Sequence, residues 1–265
     1  METDNPVLIS VDHLGIATIT LNRPEKGNAF DDRIISLLLT ALSNLANNPE
    51  VRCLVLTGSG KHFSSGADLA WMKSMASKSE IENLEDAKRL AHLMRCLDSL
   101  PIPTISVVQG AAYGGALGLL CCSDLVIAQT DSQFCLSEVK LGLVPATICP
   151  YVVRTMGARH ARRFMSTAEV IPAQRALELG LVHELLDTEE IEEYLGKITK
   201  RICHNGPVAL QTTKALIHHC HQHVIDETLS TMTSEVIAKA RVSPEGQEGI
   251  RAFFSKTKPD WATEE

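Results

Sequence analysis

Hydrophobic positions in the first half of the chain follow two periods. Residues 14–21 alternate apolar and polar, are rich in β-branched side chains and read as a strand ended by Asn22-Arg23-Pro24. Residues 31–45 repeat apolar side chains at helical spacing, with Asp31 placed as the N-cap. A continuous apolar run at 53–57, stopped by Gly58-Ser59-Gly60, reads as a buried strand. Residues 80–97 form a second long helical pattern, and 104–108 and 125–128 are short strands. This alternation predicts an α/β core.

From about Pro150 the pattern becomes almost wholly helical, at 172–179, 189–203, 207–221, 227–241 and 245–255. Pro172 and Pro207 stand where helices begin, and Gly180 where one ends. We therefore expect an α/β region at residues 1–200. Residues 201–265 form a helical region, too small to fold alone, that packs on the core or on a neighbouring subunit.

Composition narrows the function classes. The 265 residues carry a formal net charge of -7, which disfavours a general role on nucleic acid or a membrane surface. No run of 18 apolar residues is present, so no transmembrane helix is expected. The start Met1-Glu2-Thr3-Asp4-Asn5-Pro6 is acidic and unlike a signal peptide, so a cytoplasmic location is expected. The 8 cysteines show no C-x-x-C spacing and read as buried thiols, the adjacent Cys121-Cys122 included.

Two glycine segments flanking an acid carry the candidate chemistry. They are Phe63-Ser64-Ser65-Gly66-Ala67-Asp68-Leu69 and Gly110-Ala111-Ala112-Tyr113-Gly114-Gly115-Ala116-Leu117-Gly118, followed by Phe134-Cys135-Leu136-Ser137-Glu138. Each glycine segment follows a strand-like run and leads into a helical pattern. Such turns can present free backbone N–H groups, and two of them on one oxygen make an oxyanion hole. The spacing is not a dinucleotide fingerprint or a P-loop, and no G-x-S-x-G elbow surrounds Ser64 or Ser65. Glu138 lies among apolar residues, where desolvation would raise its pKa and suit it to proton transfer. The bland alternative is an exposed or paired strand-end glutamate.

Two other clusters invite a ligand. His219 and His223 are spaced i, i+4 in a histidine-rich run, but no further ligand is specified nearby, so a solvated surface is the reading. Lys256 and Lys258 stand beside Phe253 and Phe254, either as the cationic end of an amphipathic helix or as a contact to a ligand phosphate.

Taken together, these segments resemble the crotonase (enoyl-CoA hydratase/isomerase) superfamily over nearly the whole length. Leu21-Asn22-Arg23-Pro24 through Asn28-Ala29-Phe30 resembles its first CoA-contacting segment. The two glycine segments resemble its oxyanion segments, and Glu248-Gly249-Ile250-Arg251-Ala252-Phe253-Phe254-Ser255-Lys256 resembles its closing helix. The resemblance implies a spiral of ββα units with a C-terminal helical trimerisation region, assembled as a homotrimer or dimer of trimers. It implies that Ala67 and Gly115 hold the thioester oxygen through their N–H groups and that Glu138 moves protons. It places substrate or CoA contacts at Lys26, Ala29, Ser65, Ala67, Asp68, Leu69, Ala70, Gly114, Gly115, Gly118 and Lys256. No metal is implied, and no cofactor beyond the coenzyme A of the substrate.

One departure matters. Typical hydratases of the family carry a second glutamate at the position that is Gly118 here. A helical glycine costs about 1 kcal/mol relative to alanine, and the reading offered is room for a branched or carboxylated acyl group. The segments look most like hydratases of 3-methylglutaconyl-CoA and isohexenylglutaconyl-CoA. The rivals are a Δ3,Δ2-enoyl-CoA isomerase using Glu138 alone and a catalytically silent acyl-CoA-binding scaffold. Trp71, Met72 and Met75 are expected at the border of the acyl pocket or in the core.

Overall fold

A computed structural model describes residues 5–262 of the chain. The acidic start through Asp4 and the last three residues lie outside the described residues. In chain order the elements are β1 (Val7–Val11), β2 (Ile16–Leu21), α1 (Asp32–Ala46), β3 (Cys53–Gly58), α2 (Leu69–Met75), α3 (Glu80–Asp98), β4 (Thr104–Val108), β5 (Ala111–Tyr113) and α4 (Gly115–Cys121). They continue as β6 (Leu125–Gln129), β7 (Gln133–Cys135), α5 (Cys149–Thr167), β8 (Ile171–Pro172), α6 (Ala173–Glu178), β9 (Glu184–Leu186), α7 (Thr188–Cys203), α8 (Pro207–Gln222), α9 (Glu227–Val242) and α10 (Pro244–Ser255).

One six-stranded sheet runs β1-β2-β3-β4-β6-β9, and a three-stranded sheet runs β5-β7-β8. In the first, β1 is antiparallel to β2 and every other pairing is parallel. Parallel strands buried on both faces need continuous apolar runs. Cys53, Leu54, Val55 and Leu56 supply one, each no more than 3% exposed. One side of this sheet packs on α1, α3 and α4 through Ile19, Leu54, Ile34, Leu38, Leu93 and Leu117. Cys53, Val55, Ile105 and Ile127 face α7 instead, against Ile191, Leu195, Ile198 and Cys203. The expected α/β core is therefore present, with α8, α9 and α10 packed on one another beyond it.

The expected helices appear with small shifts at their ends. Asp31 caps α1 by accepting a hydrogen bond from the Ile34 N–H at 2.9 Å. Pro172 stands one residue earlier than expected, as the N-cap of α6. Burial pushes the Cys53 and Cys121 thiols up to about 12, so both behave as small apolar side chains. Strands β1, β5, β7, β8 and β9 and helix α5 carry too little pattern to stand out in the sequence, and α2 is the helical pattern expected after the first glycine segment.

The smaller sheet positions the site. β5 pairs in parallel with β7, Tyr113 opposite Cys135. Glu138 follows β7 by three residues and opens a 3-10 turn, Glu138–Leu141. The same β5 strand is linked to the other glycine segment through an isolated parallel bridge between Ser64 and Ala112.

Candidate active site

Backbone hydrogen bonds fasten the two glycine segments to each other. Phe63 donates to the Gln109 carbonyl at 2.9 Å, Ser64 to Ala111 at 3.1 Å and Tyr113 to Ser64 at 3.0 Å. The first segment is also tied to the chain before α1. Phe30 donates to the Gly66 carbonyl at 2.7 Å, and Asp68 donates to the Phe30 carbonyl at 2.8 Å. This is a parallel bridge between Phe30 and Ala67. In such a bridge the residues flanking Ala67 face Phe30, so the Ala67 N–H itself points the other way. Among the described residues neither the Ala67 N–H nor the Gly115 N–H has an acceptor. Gly115 is the first residue of α4, where the N–H has no helical partner.

Two glycines are required by conformation, and each has close neighbours. Gly66 has φ +99°, and a Cβ there would lie 3.2 Å from the Tyr113 carbonyl oxygen. Gly114 has φ +54°, and a Cβ there would meet Glu138 Oε1 at 3.3 Å and Gly66 Cα at 4.0 Å. The two segments and the Glu138 carboxyl are therefore immediate neighbours.

Two cavities meet at this point. A groove of about 780 Å³ is lined by Ser65, Gly66, Leu69, Met72, Met75 and Lys78 among others. A smaller chamber of about 150 Å³ is lined by Phe30, Ile35, Leu90, Val144, Thr147 and Ile148 among others. Ala67, Trp71, Gly115 and Glu138 border both. Glu138 is half-buried, and its Oε2 is buried without a hydrogen-bond partner. Desolvation pushes its carboxyl above the usual glutamate value, and its own backbone N–H only partly opposes this. Such a group holds or releases a proton nearer neutrality than an exposed glutamate.

Asp68 holds the segment that carries Ala67. Its Oδ1 accepts from the N–H groups of Ala70 at 2.8 Å and Trp71 at 3.2 Å, capping α2. Its Oδ2 pairs with Arg23 at 3.0 Å and Lys26 at 3.5 Å. Burial alone would raise the Asp68 carboxyl. The two backbone donors, Arg23 and Lys26 outweigh burial and hold it below the usual aspartate value. Arg23 also pairs with Asp31, the cap of α1, at 2.5 Å, so one guanidinium joins the starts of both helices.

The remaining expected contacts divide. Ser65, Leu69 and Gly114 line the groove. Asp68 and Ala70 sit beside it as cap and capped N–H rather than as lining residues. Lys26 lies with Arg23, Asp31 and Arg33 around a separate polar pocket of about 170 Å³. Ala29 is buried at 6% exposure and borders neither cavity. Lys256 also borders neither, standing at the end of α10 in the left-handed conformation, φ +56°.

Gly118 corrects the sequence reading. It leaves no room for an acyl group, because a Cβ there would lie 2.3 Å from Ile148 Cγ2 and 2.9 Å from Met94 Sδ. It lines neither cavity, and Ile148 is what faces the chamber. Sequence reasoning did not single out Ile148, Leu90 or Thr147. They come from α3 and the stretch before α5, and only the packing of those elements brings them here. Trp71, Met72 and Met75 do line the groove. His219 and His223 stack at 4.0 Å between ring centroids, and among the described residues no group of three or more potential ligands could hold a metal ion.

Residues 12–264 match the enoyl-CoA hydratase/isomerase family. A crotonyl-CoA hydratase of Syntrophomonas wolfei is 30% identical over 248 residues, covering 93% of this chain and 94% of that protein. A 2,3-dehydroadipyl-CoA hydratase of Escherichia coli is 28% identical over 247 residues, with the same coverage of 93% and 94%. The crystal structure of an enoyl-CoA hydratase from Shewanella pealeana superposes with a TM-score of 0.95 at 45% identity, covering 98% of this chain and 97% of that one.

Proposed function

The chain belongs to the enoyl-CoA hydratase/isomerase family, and from that membership we propose that it adds water to the double bond of a branched, carboxylated 2-enoyl-CoA of the isohexenylglutaconyl-CoA or 3-methylglutaconyl-CoA type. The observation that carries this reading is that two unpartnered N–H groups, on Ala67 and Gly115, and a Glu138 carboxyl whose Oε2 has no partner belong to residues bordering one junction of cavities.

The thioester oxygen accepts from both N–H groups. As water adds at C3, negative charge builds on that oxygen, and the fixed dipoles hold it without reorganisation. Each such donor is worth about 2.7–4 kcal/mol of barrier. Glu138 takes the proton from water and returns it to C2. A carboxyl with a raised pKa suits both transfers.

The lining supports the acyl class. Phe30, Ile35, Leu90, Val144 and Ile148 give the chamber hydrocarbon walls suited to a branch. Lys78 is the one cation among the described residues lining the groove, and Glu138 the one acid. A substrate carboxylate turned into the groove meets that lysine. The resemblance to a hydratase of 2,3-dehydroadipyl-CoA, itself a carboxylated thioester, points the same way.

One observation favours a second reading. No second acid borders either cavity among the described residues, and a Δ3,Δ2-enoyl-CoA isomerase needs only one. Ultraviolet absorbance over a panel of straight, branched and carboxylated substrates separates the two. Hydration removes the conjugated absorbance of a 2-enoyl-CoA, fastest for the branched, carboxylated member. Appearance of that absorbance from 3-enoyl substrates, with no loss from any 2-enoyl-CoA, would establish the isomerase and end the hydratase reading.

A further inference from the structure

Besides Glu138 Oε2, a second buried polar atom at the site has no partner: Trp71 Nε1. An indole N–H can only donate, and a buried one normally finds an acceptor. The other tryptophan of the chain does so, Trp261 donating to the His204 carbonyl at 3.2 Å. Trp71 packs on the core from α2 and borders both the groove and the chamber, as Glu138 does. The residues that border the junction therefore carry one orphaned acceptor, on Glu138, and one orphaned donor, on Trp71.

Hydration by a single carboxyl leaves a requirement unmet. The attacking water needs an acceptor for its proton and a donor that fixes its oxygen. Glu138 is the acceptor. The position after the glycine pair supplies nothing, because Ile148 and Met94 fill the space beside Gly118.

We propose that the Trp71 Nε1–H is that donor, holding the oxygen that is added at C3, first as water and then as the 3-hydroxyl of the product. This rests on the hydratase reading and deepens it. In the step, a water O–H bond breaks and its proton passes to Glu138. The oxygen bonds to C3, and the π pair moves toward the thioester oxygen held by Ala67 and Gly115. Glu138 then returns the proton to C2, and the enolate collapses to the saturated 3-hydroxyacyl thioester. Trp71 keeps its proton throughout.

Two measurements test this. Hydration is compared with exchange of the C2 protons of a saturated acyl-CoA in deuterium oxide, which needs Glu138 and the oxyanion donors but no attacking water. Trp71→Phe should lower kcat for hydration about tenfold, the effect of one hydrogen bond to the reacting oxygen. Exchange should fall by a clearly smaller factor than hydration. Equal hydration in parent and variant, or a parallel loss of both reactions, would overturn the proposal. The second measurement leaves Trp71 in place. In Trp261→Phe protein labelled with ¹⁵N, the remaining indole N–H resonance should move further downfield with the 3-hydroxyacyl-CoA than with the saturated acyl-CoA. An identical shift with both also overturns it. A parent enzyme that exchanges C2 protons yet hydrates no enoyl-CoA sinks the hydratase reading and this inference with it. A parent that hydrates while the Trp71 variant is unaffected sinks the inference alone.

Discussion

Ile148 occupies the space that Gly118 leaves. With a Cβ at 118 only 2.3 Å from Ile148 Cγ2, the glycine is there for close packing of α4 against the start of α5. Gly118→Ala should therefore destabilise the fold by about 1–3 kcal/mol, the usual cost of overpacking a core. Ile148→Ala removes the opposing methyl, so the double variant should lose less than the sum of the two single losses. Denaturant unfolding of the three variants measures this. Additive losses would mean that some other contact excludes a side chain at 118.

Glu138 is predicted to be costly to stability and necessary for turnover. Glu138→Gln should lower kcat by about 100-fold or more. Its stability effect has a definite sign. The folded-state pKa lies above the unfolded value because burial penalises the carboxylate. The favourable contribution of the protonated form is complete below the unfolded pKa and is lost as pH rises through the folded one. The Gln variant should therefore be more stable than the parent at neutral pH, and the difference should shrink below the ordinary glutamate range. Thermal unfolding across that window reads it. A parent more stable than the variant at neutral pH would contradict the desolvation account.

Asp68 behaves in the opposite sense. Its folded-state pKa is depressed, so its contribution is present above the unfolded pKa and lost as pH falls through the folded one. Asp68→Ala removes the α2 cap, at a cost of about 1–2 kcal/mol, and leaves Arg23 paired with Asp31 and the Ala29 carbonyl. Because the segment before α2 carries Ala67, kcat should fall more than KM rises. Steady-state kinetics on one 2-enoyl-CoA checks this, and a pure KM effect would instead place Asp68 in ground-state substrate binding.

Lys256 separates backbone strain from ligand contact. A lysine at φ +56° carries a left-handed penalty of about 1–2 kcal/mol that glycine does not. Lys256→Gly should raise the unfolding temperature. If the lysine also meets a CoA phosphate, KM should rise for a CoA thioester and stay unchanged for the matching pantetheine thioester. Equal KM values for both in parent and variant would leave strain relief as the whole effect.

Much of the architecture was legible along the chain. Long periodic segments such as α1, α3 and α7 announce themselves because one face of each must be apolar, and caps such as Asp31 sit at fixed offsets from that face. The two glycine segments and Glu138 were legible for a related reason. Gly66 and Gly114 need positive φ, and a glutamate in an apolar stretch is conspicuous. Strands of three residues, β5 and β7, were not legible, since their pairing rather than their pattern makes them strands. A helical pattern after the first glycine segment was legible, but the end of α2 at Met75 was not, because the helix is short and its side chains face a groove.

The sequence by itself determined the α/β core, the helical end and the glycine turns that flank one acid, because periodicity, capping and backbone conformation are local properties. Only the tertiary structure decided that Gly118 serves packing, that Asp68 anchors a loop, and that Trp71 and Ile148 border the same chamber as Glu138. Those facts depend on which side chains from distant segments share a volume, and volume is a property of the folded chain.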